Sequence, residues 1–317
     1  MRSFNPEERM FASSDKELPE AEEALYGVLV PENRARAIQL DEFTDLYGSE
    51  TISRDKAYLY KREKGFADAE EIETNKKFGE LFEAIINYQI ENSDLMGPTA
   101  SVIVPSRYDD VANGIDSIVQ FKGEKGSTSH LALAIDVTAS EKAIAKKFER
   151  VRNDIDQGHL STAKYFKSKN FRGELRPVAR VIIGADHNTI TDISDLILRF
   201  TRMKNTIAEN RKRANNSESA ETLKKEFSAI RNKLAEHPLH EIVLTEIRTQ
   251  LEGFQAYALS IGKDPLADQY GKILHIITEV INEKKTPSKL PESPYERDAV
   301  FRYIIDNAKS FNSQQTL

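Results

Sequence analysis

Apolar residues recur with a helical period in the stretch that begins near residue 75. Phe78, Leu81, Phe82 and Ile85 fall on one side of a helical wheel drawn at 100° per residue, which predicts a helix. Residues 1–65 are acidic and interrupted by prolines, with only short apolar pieces. We therefore expect an N-terminal arm there that packs on the core in places.

After this helix, the spacing of apolar residues changes to the short apolar runs that are typical of strands. Apolar runs span residues 101–104, 114–121 and 130–138, with turn-forming residues between them. The third run is apolar on both faces, which is typical of a strand inside a sheet. A fourth strand is predicted at residues 178–183.

Helical spacing returns between the third and fourth strands and again after residue 189. Ile144, Phe148, Val151 and Ile155 are separated by four, three and four positions, and Ser140 precedes them as an N-cap. After residue 189 the pattern predicts a helical hairpin followed by helices near residues 241–260, 266–282 and 297–310.

This order of elements predicts an α/β protein built on a mixed sheet flanked by helices. The core would cover residues 66–188, and an appended all-helical region would cover residues 189–317. Because a chain of 317 residues exceeds one average domain, we expect a hydrophobic cluster for each part.

Composition narrows the class of protein. Hydrophobic residues make up 39% of the chain and charged residues 30%, which argues against disorder and against a membrane-embedded protein. No apolar run approaches the roughly 18 residues needed to span a bilayer, so no membrane partner is expected. No secretory signal is visible, and the lack of cysteine excludes disulfides and thiolate metal sites. These observations favour a cytoplasmic location.

The net charge of −6 argues against nucleic-acid binding, but the charges are segregated along the chain. Residues 1–50 hold twelve acidic against five basic residues, whereas residues 140–180 hold eleven basic against five acidic. The basic stretch is interpreted either as a surface for phosphate groups or as a solvated helix face.

Several common catalytic motifs are missing. The chain has no P-loop, no dinucleotide-binding glycine motif, no His-Glu-x-x-His and no Gly-x-Ser-x-Gly. His237 and His240 are close in sequence but lack a third ligand nearby, so a capping or surface role is favoured over zinc binding.

Two acidic residues in predicted strands are the candidates for chemistry. Asp116 opens the second strand, and Asp136 lies among apolar neighbours in the third. A carboxylate buried in such a strand is costly unless it is paired or bound to a cation. Two convergent carboxylates suit Mg²⁺ or Mn²⁺, which prefer oxygen ligands. Alternatively, Asp136 caps a loop or pairs with a basic residue such as Lys147.

The segments Gly114-Ile-Asp116 and Ala134-Ile-Asp-Val-Thr138, in this order of elements, resemble the PD-(D/E)XK nuclease superfamily, whose fold is restriction-endonuclease-like. The resemblance covers residues 75–186. It implies a metal-dependent nuclease acting on DNA, with Asp116 and Asp136 as metal ligands and Glu83 of the preceding helix as a third. Asp109 and Asp110 are interpreted as turn residues or as outer carboxylates of the metal site.

The chain departs from the family pattern after the second acid. A lysine is expected two positions later, and Thr138 stands there instead. In some members the lysine comes from the following helix, which implies Lys147 as the catalytic lysine because it borders the apolar face of that helix. Thr138 shares a predicted strand face with Asp136 and stays a candidate for handling the attacking water.

The basic stretch supplies candidate contacts to a nucleic-acid backbone, namely Lys146, Arg150, Lys164, Lys167, Lys169 and Arg172. The missing lysine supports an alternative, a nuclease fold without activity that serves as a nucleic-acid-binding or protein-interaction scaffold. In either case, a helical protein partner or a second copy of the chain, as a homodimer, could be contacted through the C-terminal helices.

Overall fold

The computed structural model describes residues 18–64, 70–123, 127–136, 141–212, 218–284 and 298–311. Within these ranges the strands form one mixed sheet, made of β1 (Ala100–Ile103), β2 (Ser117–Lys122), β3 (Thr128–Asp136), β4 (Ser161–Lys167) and β5 (Arg172–Gly184). Their order across the sheet is β1-β2-β3-β5-β4. β3 and β5 are parallel, and the other neighbouring pairs are antiparallel.

Helices flank the sheet and make up most of the rest of the described chain. They are α1 (Glu20–Arg36), α2 (Thr44–Lys64), α3 (Glu70–Asn92), α4 (Arg107–Asn113), α5 (Glu141–Asp156), α6 (His187–Lys212), α7 (Glu218–Ala235), α8 (Pro238–Ser260), α9 (Asp264–Lys284) and α10 (Ala299–Ser310). In the part of the chain that is described, none of them combines the length and the apolarity that a bilayer-crossing helix requires.

Alternating strand residues build the two faces of the sheet. Val119, Leu131 and Val181 point into the main hydrophobic core. Their neighbours Ile118 and Ala132 join a smaller cluster on the opposite face. The sheet is therefore buried on both sides, as the apolar third strand predicts.

The main hydrophobic core continues from the sheet into the C-terminal helices. Leu131 of β3, Phe148 of α5, Phe254 of α8 and Ile304 of α10 belong to the same cluster. Apart from a small group formed by Ile242, Phe301 and Ile305, the C-terminal helices share their core with the sheet. This differs from the expectation of one hydrophobic cluster for each part of the chain.

The predicted mixed sheet of at least four strands, flanked by the helices around Leu81 and Phe148, is confirmed. The pattern did not predict β4, nor the short helix α4 between β1 and β2. The acidic N-terminal region contains α1 and α2, and α1 packs against α3 and α6. Ser140, the expected N-cap of α5, lies outside the described residues.

Candidate functional site

The turn between α4 and β2 places Asp116. α4 ends at Gly114, whose backbone is left-handed with φ 62° and ψ 46°. This conformation at a helix end favours glycine because a Cβ would collide with the backbone. The Asp116 backbone N–H then donates to the Leu133 carbonyl oxygen at 2.9 Å. Asp116 therefore lies immediately before β2 and beside Leu133 of β3.

Three carboxyl groups from three parts of the chain meet at this turn. They are Glu83 of α3, Asp110 of α4 and Asp116, and we refer to them as the acidic cluster. The Asp110 and Asp116 side chains lie within hydrogen-bonding reach of each other. Burial raises the pKa of Glu83 well above its ordinary value, and the negative charges of Asp116 and Asp110 raise it further.

Glu83 is held in place by neutral side chains. Asn33 Nδ2 donates to Glu83 Oε1 at 3.0 Å, Asn87 Nδ2 donates to Asn33 Oδ1 at 2.9 Å, and Ser117 Oγ donates to Asn87 Oδ1 at 2.7 Å. This chain of hydrogen bonds links α1, α3 and β2. It positions the Glu83 carboxyl group without bringing a positive charge to it.

The carboxylates around Glu83 have basic partners. Asp110 pairs with Arg107, which also donates to Glu63. Burial raises the pKa of Asp110, and Arg107 acts in the opposite direction. Glu80, one turn before Glu83 on α3, pairs with Arg34 at 2.8 Å and accepts from the Tyr26 hydroxyl at 2.7 Å. Glu83 differs from Asp110 and Glu80 in that its hydrogen-bond donor, Asn33, is neutral.

Two arginines close the other side of the turn. Arg180 of β5 donates from Nη1 to the Asn113 carbonyl oxygen at 2.8 Å and from Nη2 to Asp154 Oδ2 at 3.0 Å. Arg150 of α5 donates to the Ala112 carbonyl oxygen at 3.0 Å. Both guanidinium groups satisfy carbonyl groups at the C-terminus of α4, where positive charge is favourable.

Asp109 has a structural role that neither sequence interpretation anticipated. It is fully buried and accepts from Ser106 Oγ and Asn113 Nδ2 at 2.7 Å each. It also accepts from the backbone N–H groups of Lys164 at 2.7 Å and Tyr165 at 3.0 Å. Asp109 therefore joins α4 to β4, whereas its neighbour Asp110 belongs to the acidic cluster.

The remaining predicted catalytic residues are Asp136, Thr138 and Lys147. Asp136 is the last residue of β3 and pairs through its backbone with Gly184 of β5, but its side chain is not described. Thr138 lies outside the described residues. The close approach of the Asp116 and Asp136 carboxylates stays a prediction. Lys147 is half-buried on α5, and Lys146 is exposed, as the helical wheel predicts.

Three of the residues predicted to contact nucleic acid are paired with acidic residues of α2 and the turn before it. Lys164 pairs with Asp55, Lys167 with Glu42 and Arg172 with Asp45. Lys164 is also surrounded by the rings of Tyr47, Tyr108 and Tyr165, at 5.1–5.8 Å from the ring centroids. These contacts hold the N-terminal region against the hairpin of β4 and β5, so the three charges are engaged inside the molecule. Lys146 and Lys169 are exposed.

Among the described side chains, no group of three or more histidine, aspartate or glutamate residues is arranged to hold a metal ion. His237 has the capping role expected from the sequence, since its Nδ1 accepts from Leu239 N at 3.1 Å at the start of α8.

Sequence reasoning missed Arg180 and assigned Asp110 only an outer role. Arg180 had a detectable signal, because a charged residue inside the apolar run at residues 178–183 requires a partner just as Asp136 does. Asp110 carried no such signal, since α4 itself was not predicted.

No protein-family model matches the chain, and neither the curated proteins nor the solved structures gave a match. Function is therefore inferred from the site itself.

Proposed function

We propose that this protein is a metal-dependent nuclease that hydrolyses phosphodiester bonds of DNA on a restriction-endonuclease-like core. The observation that carries the proposal is the acidic cluster, in which Asp116 and Asp110 crowd a half-buried Glu83 whose hydrogen-bond donor is the neutral Asn33. A bound cation would relieve the cost of bringing these carboxyl groups together.

The order of elements supports the same proposal. α3 precedes the antiparallel run of β1, β2 and β3, and after α5 the chain returns to the sheet in β5, parallel to β3. The resemblance rests on this succession of helix, three strands, helix and strand. α4 and β4 are additions to it.

The carboxylates are oxygen donors of the kind that Mg²⁺ and Mn²⁺ prefer. Glu83 and Asp116 would hold the ion together with Asp136, which lies at the end of the adjacent strand. When bound, the cation supplies a water of lowered pKa and polarises the phosphate. Lys147 would orient the attacking water. Arg150 is exposed and lies beside Gly114, where its guanidinium group can contact a phosphate.

An inactive nuclease-fold scaffold is the second candidate. It is favoured by Thr138 in place of the expected lysine and by the finding that the described side chains alone do not form a metal-binding group. In that case the acidic cluster would have only a structural role, and Asp116→Asn would raise stability because it removes a crowded charge.

Cleavage of plasmid and single-stranded DNA, measured with Mg²⁺, Mn²⁺ or EDTA, tests the proposal. We expect metal-dependent cleavage that falls by about 100-fold or more in Asp116→Asn and Asp136→Asn, since loss of an outer contact to a metal ligand already costs about 10- to 100-fold. Asp268→Asn, at an exposed position of α9, is the matched control and should cleave normally.

Calorimetric titration with Mn²⁺ separates the two candidates. The nuclease proposal requires Mn²⁺ binding that weakens in Asp116→Asn but not in Asp268→Asn. If the folded protein bound no Mn²⁺ and cleaved neither plasmid nor single-stranded DNA with Mg²⁺ or Mn²⁺, the scaffold would remain as the function.

A further inference from the structure

A cavity of about 940 Å³ lies at the opposite end of β2 from the acidic cluster. Gln120 and Lys122 at the end of β2, and His130 near the start of β3, line one side of it. β2 begins at Ser117, directly after Asp116, so Lys122 lies roughly 17–20 Å along the strand from the acidic cluster. The cavity has the volume of a ligand site, at the upper end of the usual range.

The floor of the cavity is apolar, and one wall is polar. Phe166 is buried and supplies this floor, and Ala179 and Ile273, which belong to the main core on the other face of the sheet, also line the cavity. On the wall, Gln120 Nε2 lies 3.0 Å from His130 Nε2, and the His130 ring packs edge-on against Phe166 at 5.1 Å between centroids. Burial lowers the pKa of His130, so the ring is neutral at pH 7 and its Nε2 accepts from the Gln120 amide.

Exposed cations and one exposed aromatic ring surround the opening. Lys122 of β2, Lys169 of the turn between β4 and β5, and Lys272 of α9 all line the cavity and form no ion pair with any described residue. Phe171, in the same turn as Lys169, is 48% exposed. Its centroid is 6.1 Å from that of Phe166.

We propose that this cavity binds a segment of single-stranded nucleic acid. Phe171 and the floor at Phe166 would stack on bases, the Gln120–His130 pair would meet base edges, and the three lysines, which come from three different elements, would contact successive phosphates. A single strand is required because a base inside a duplex is stacked and paired and presents neither its face nor its edge to such a cavity. The inference does not depend on whether the acidic cluster cleaves.

Fluorescence anisotropy with a labelled twelve-residue oligothymidylate, in EDTA to prevent metal-dependent cleavage, tests this binding on the full chain. We expect the single strand to bind more tightly than the same sequence in a duplex. Phe171→Ala should weaken binding by about 5- to 150-fold, the usual effect of losing one stacked base, and Phe171→Tyr should retain it. Lys122→Gln and Lys272→Gln should each reduce the slope of log affinity against log salt by about 0.7.

A control variant makes the result specific to the cavity. Lys309→Gln removes an exposed lysine of α10, which does not line the cavity, and should leave single-strand binding unchanged. The binding assay contains no metal and its variants lie outside the acidic cluster, so that failure of the nuclease proposal and failure of this one are distinguishable. The inference is overturned if the duplex binds as tightly as the single strand, if polyglutamate displaces the oligonucleotide at equal charge concentration, or if the cavity variants bind like Lys309→Gln.

Discussion

Arg180 is a charged residue inside an apolar strand whose hydrogen bonds account for its position. It is 5% exposed, and burial lowers its pKa to about 10, with the nearby Arg150 acting in the same direction. The group remains protonated at pH 7. Because both of its hydrogen bonds go to protein atoms, Arg180 holds the end of α4, and the exposed Arg150 is the arginine that can reach a ligand.

Lys147→Ala tests the catalytic lysine within the proposed function. If Lys147 orients the attacking water, kcat for DNA cleavage should fall by about 100-fold while the dissociation constant for DNA changes little, because the interaction is made in the transition state. Lys146→Ala is the matched control on the exposed side of α5. It should change affinity and reduce the salt slope by about 0.9, as loss of one duplex phosphate contact does. Equal small effects on kcat in both variants would contradict the role of Lys147.

His240 provides a prediction about pH. Its Nε2 lies 3.0 Å from Gln89 Oε1, and Lys284 Nζ lies 3.3 Å from its Nδ1. Burial lowers the pKa of His240 from 6.5 to about 3, and Lys284 and His237 contribute. The unfolded chain takes up a proton below pH 6.5 and the native one does not. The stability that neutral His240 provides is therefore present above pH 6.5 and is lost as the pH falls toward 3.

Urea unfolding of the wild type and of His240→Gln at several pH values measures this loss. The difference in unfolding free energy should move against the wild type by about 1.4 kcal/mol per pH unit between pH 6 and pH 4. His275→Gln removes an exposed histidine of α9 and controls for the loss of one imidazole. A pH-independent difference for His240→Gln would mean that the native state takes up this proton easily.

At the scale of elements, the left-handed end of α4 decides where Asp116 lies. Gly114 has a φ of 62°, which residues with a side chain rarely adopt. A Cβ added there would also lie 2.9 Å from Arg150 Nη1. We expect Gly114→Ala to destabilise the protein by about 1–2 kcal/mol in urea unfolding. Gly27→Ala, inside α1 with no atom within 4 Å of the new methyl group, should instead stabilise it by about 0.5–1 kcal/mol. Equal effects at the two positions would show that the turn is not strained.

Strongly periodic elements could be predicted from the sequence, and short or charged ones could not. The stripe of Ile144 and Phe148 defines α5 because every buried position on it is apolar. β4 was missed because Lys164 and Lys167 interrupt its buried residues Ala163, Tyr165 and Phe166, and the lysines were interpreted as a basic surface. α4 has only seven residues and lacks an apolar stripe, so its pattern does not differ from that of a turn.

The candidate site could be predicted only in part for a related reason. Asp116 and Glu83 were named from the sequence, and the structure brings them close enough for Asp116 to raise the pKa of Glu83. Asn33 joins them through a tertiary contact between distant segments, which has no signature in local spacing. Asp110 was assigned only an outer role, and the signal of Arg180, a charge inside an apolar run, was overlooked. Asp136 and Thr138 stay predictions.

At the scale of the whole molecule, the continuous core predicts cooperative unfolding. Phe254 of α8 lies 6.0 Å from Phe148 of α5, 5.6 Å from Tyr270 of α9 and 4.6 Å from Phe311 between ring centroids. We expect Phe254→Ala to lower the unfolding free energy by about 3–5 kcal/mol. Transitions followed by circular dichroism and by tyrosine fluorescence should shift together.

Leu259→Ala is the control for this variant, because Leu259 is on the same helix but 53% exposed. Its effect should remain within about 0.5 kcal/mol. If Phe254→Ala separated the two transitions, the C-terminal helices would unfold apart from the sheet, and the shared core would not couple them.

The side chain of Gln250 has a consequence for how the protein behaves at high concentration. β4 covers β5 only as far as Val178, and beyond that point Gln250 of α8 both accepts from Ile182 N at 2.8 Å and donates to Ile182 O at 2.6 Å. One amide group thereby occupies the backbone positions to which a strand from another molecule would add. Gln250 thus blocks this part of the sheet edge from pairing with a strand of another molecule, which disfavours aggregation at high concentration.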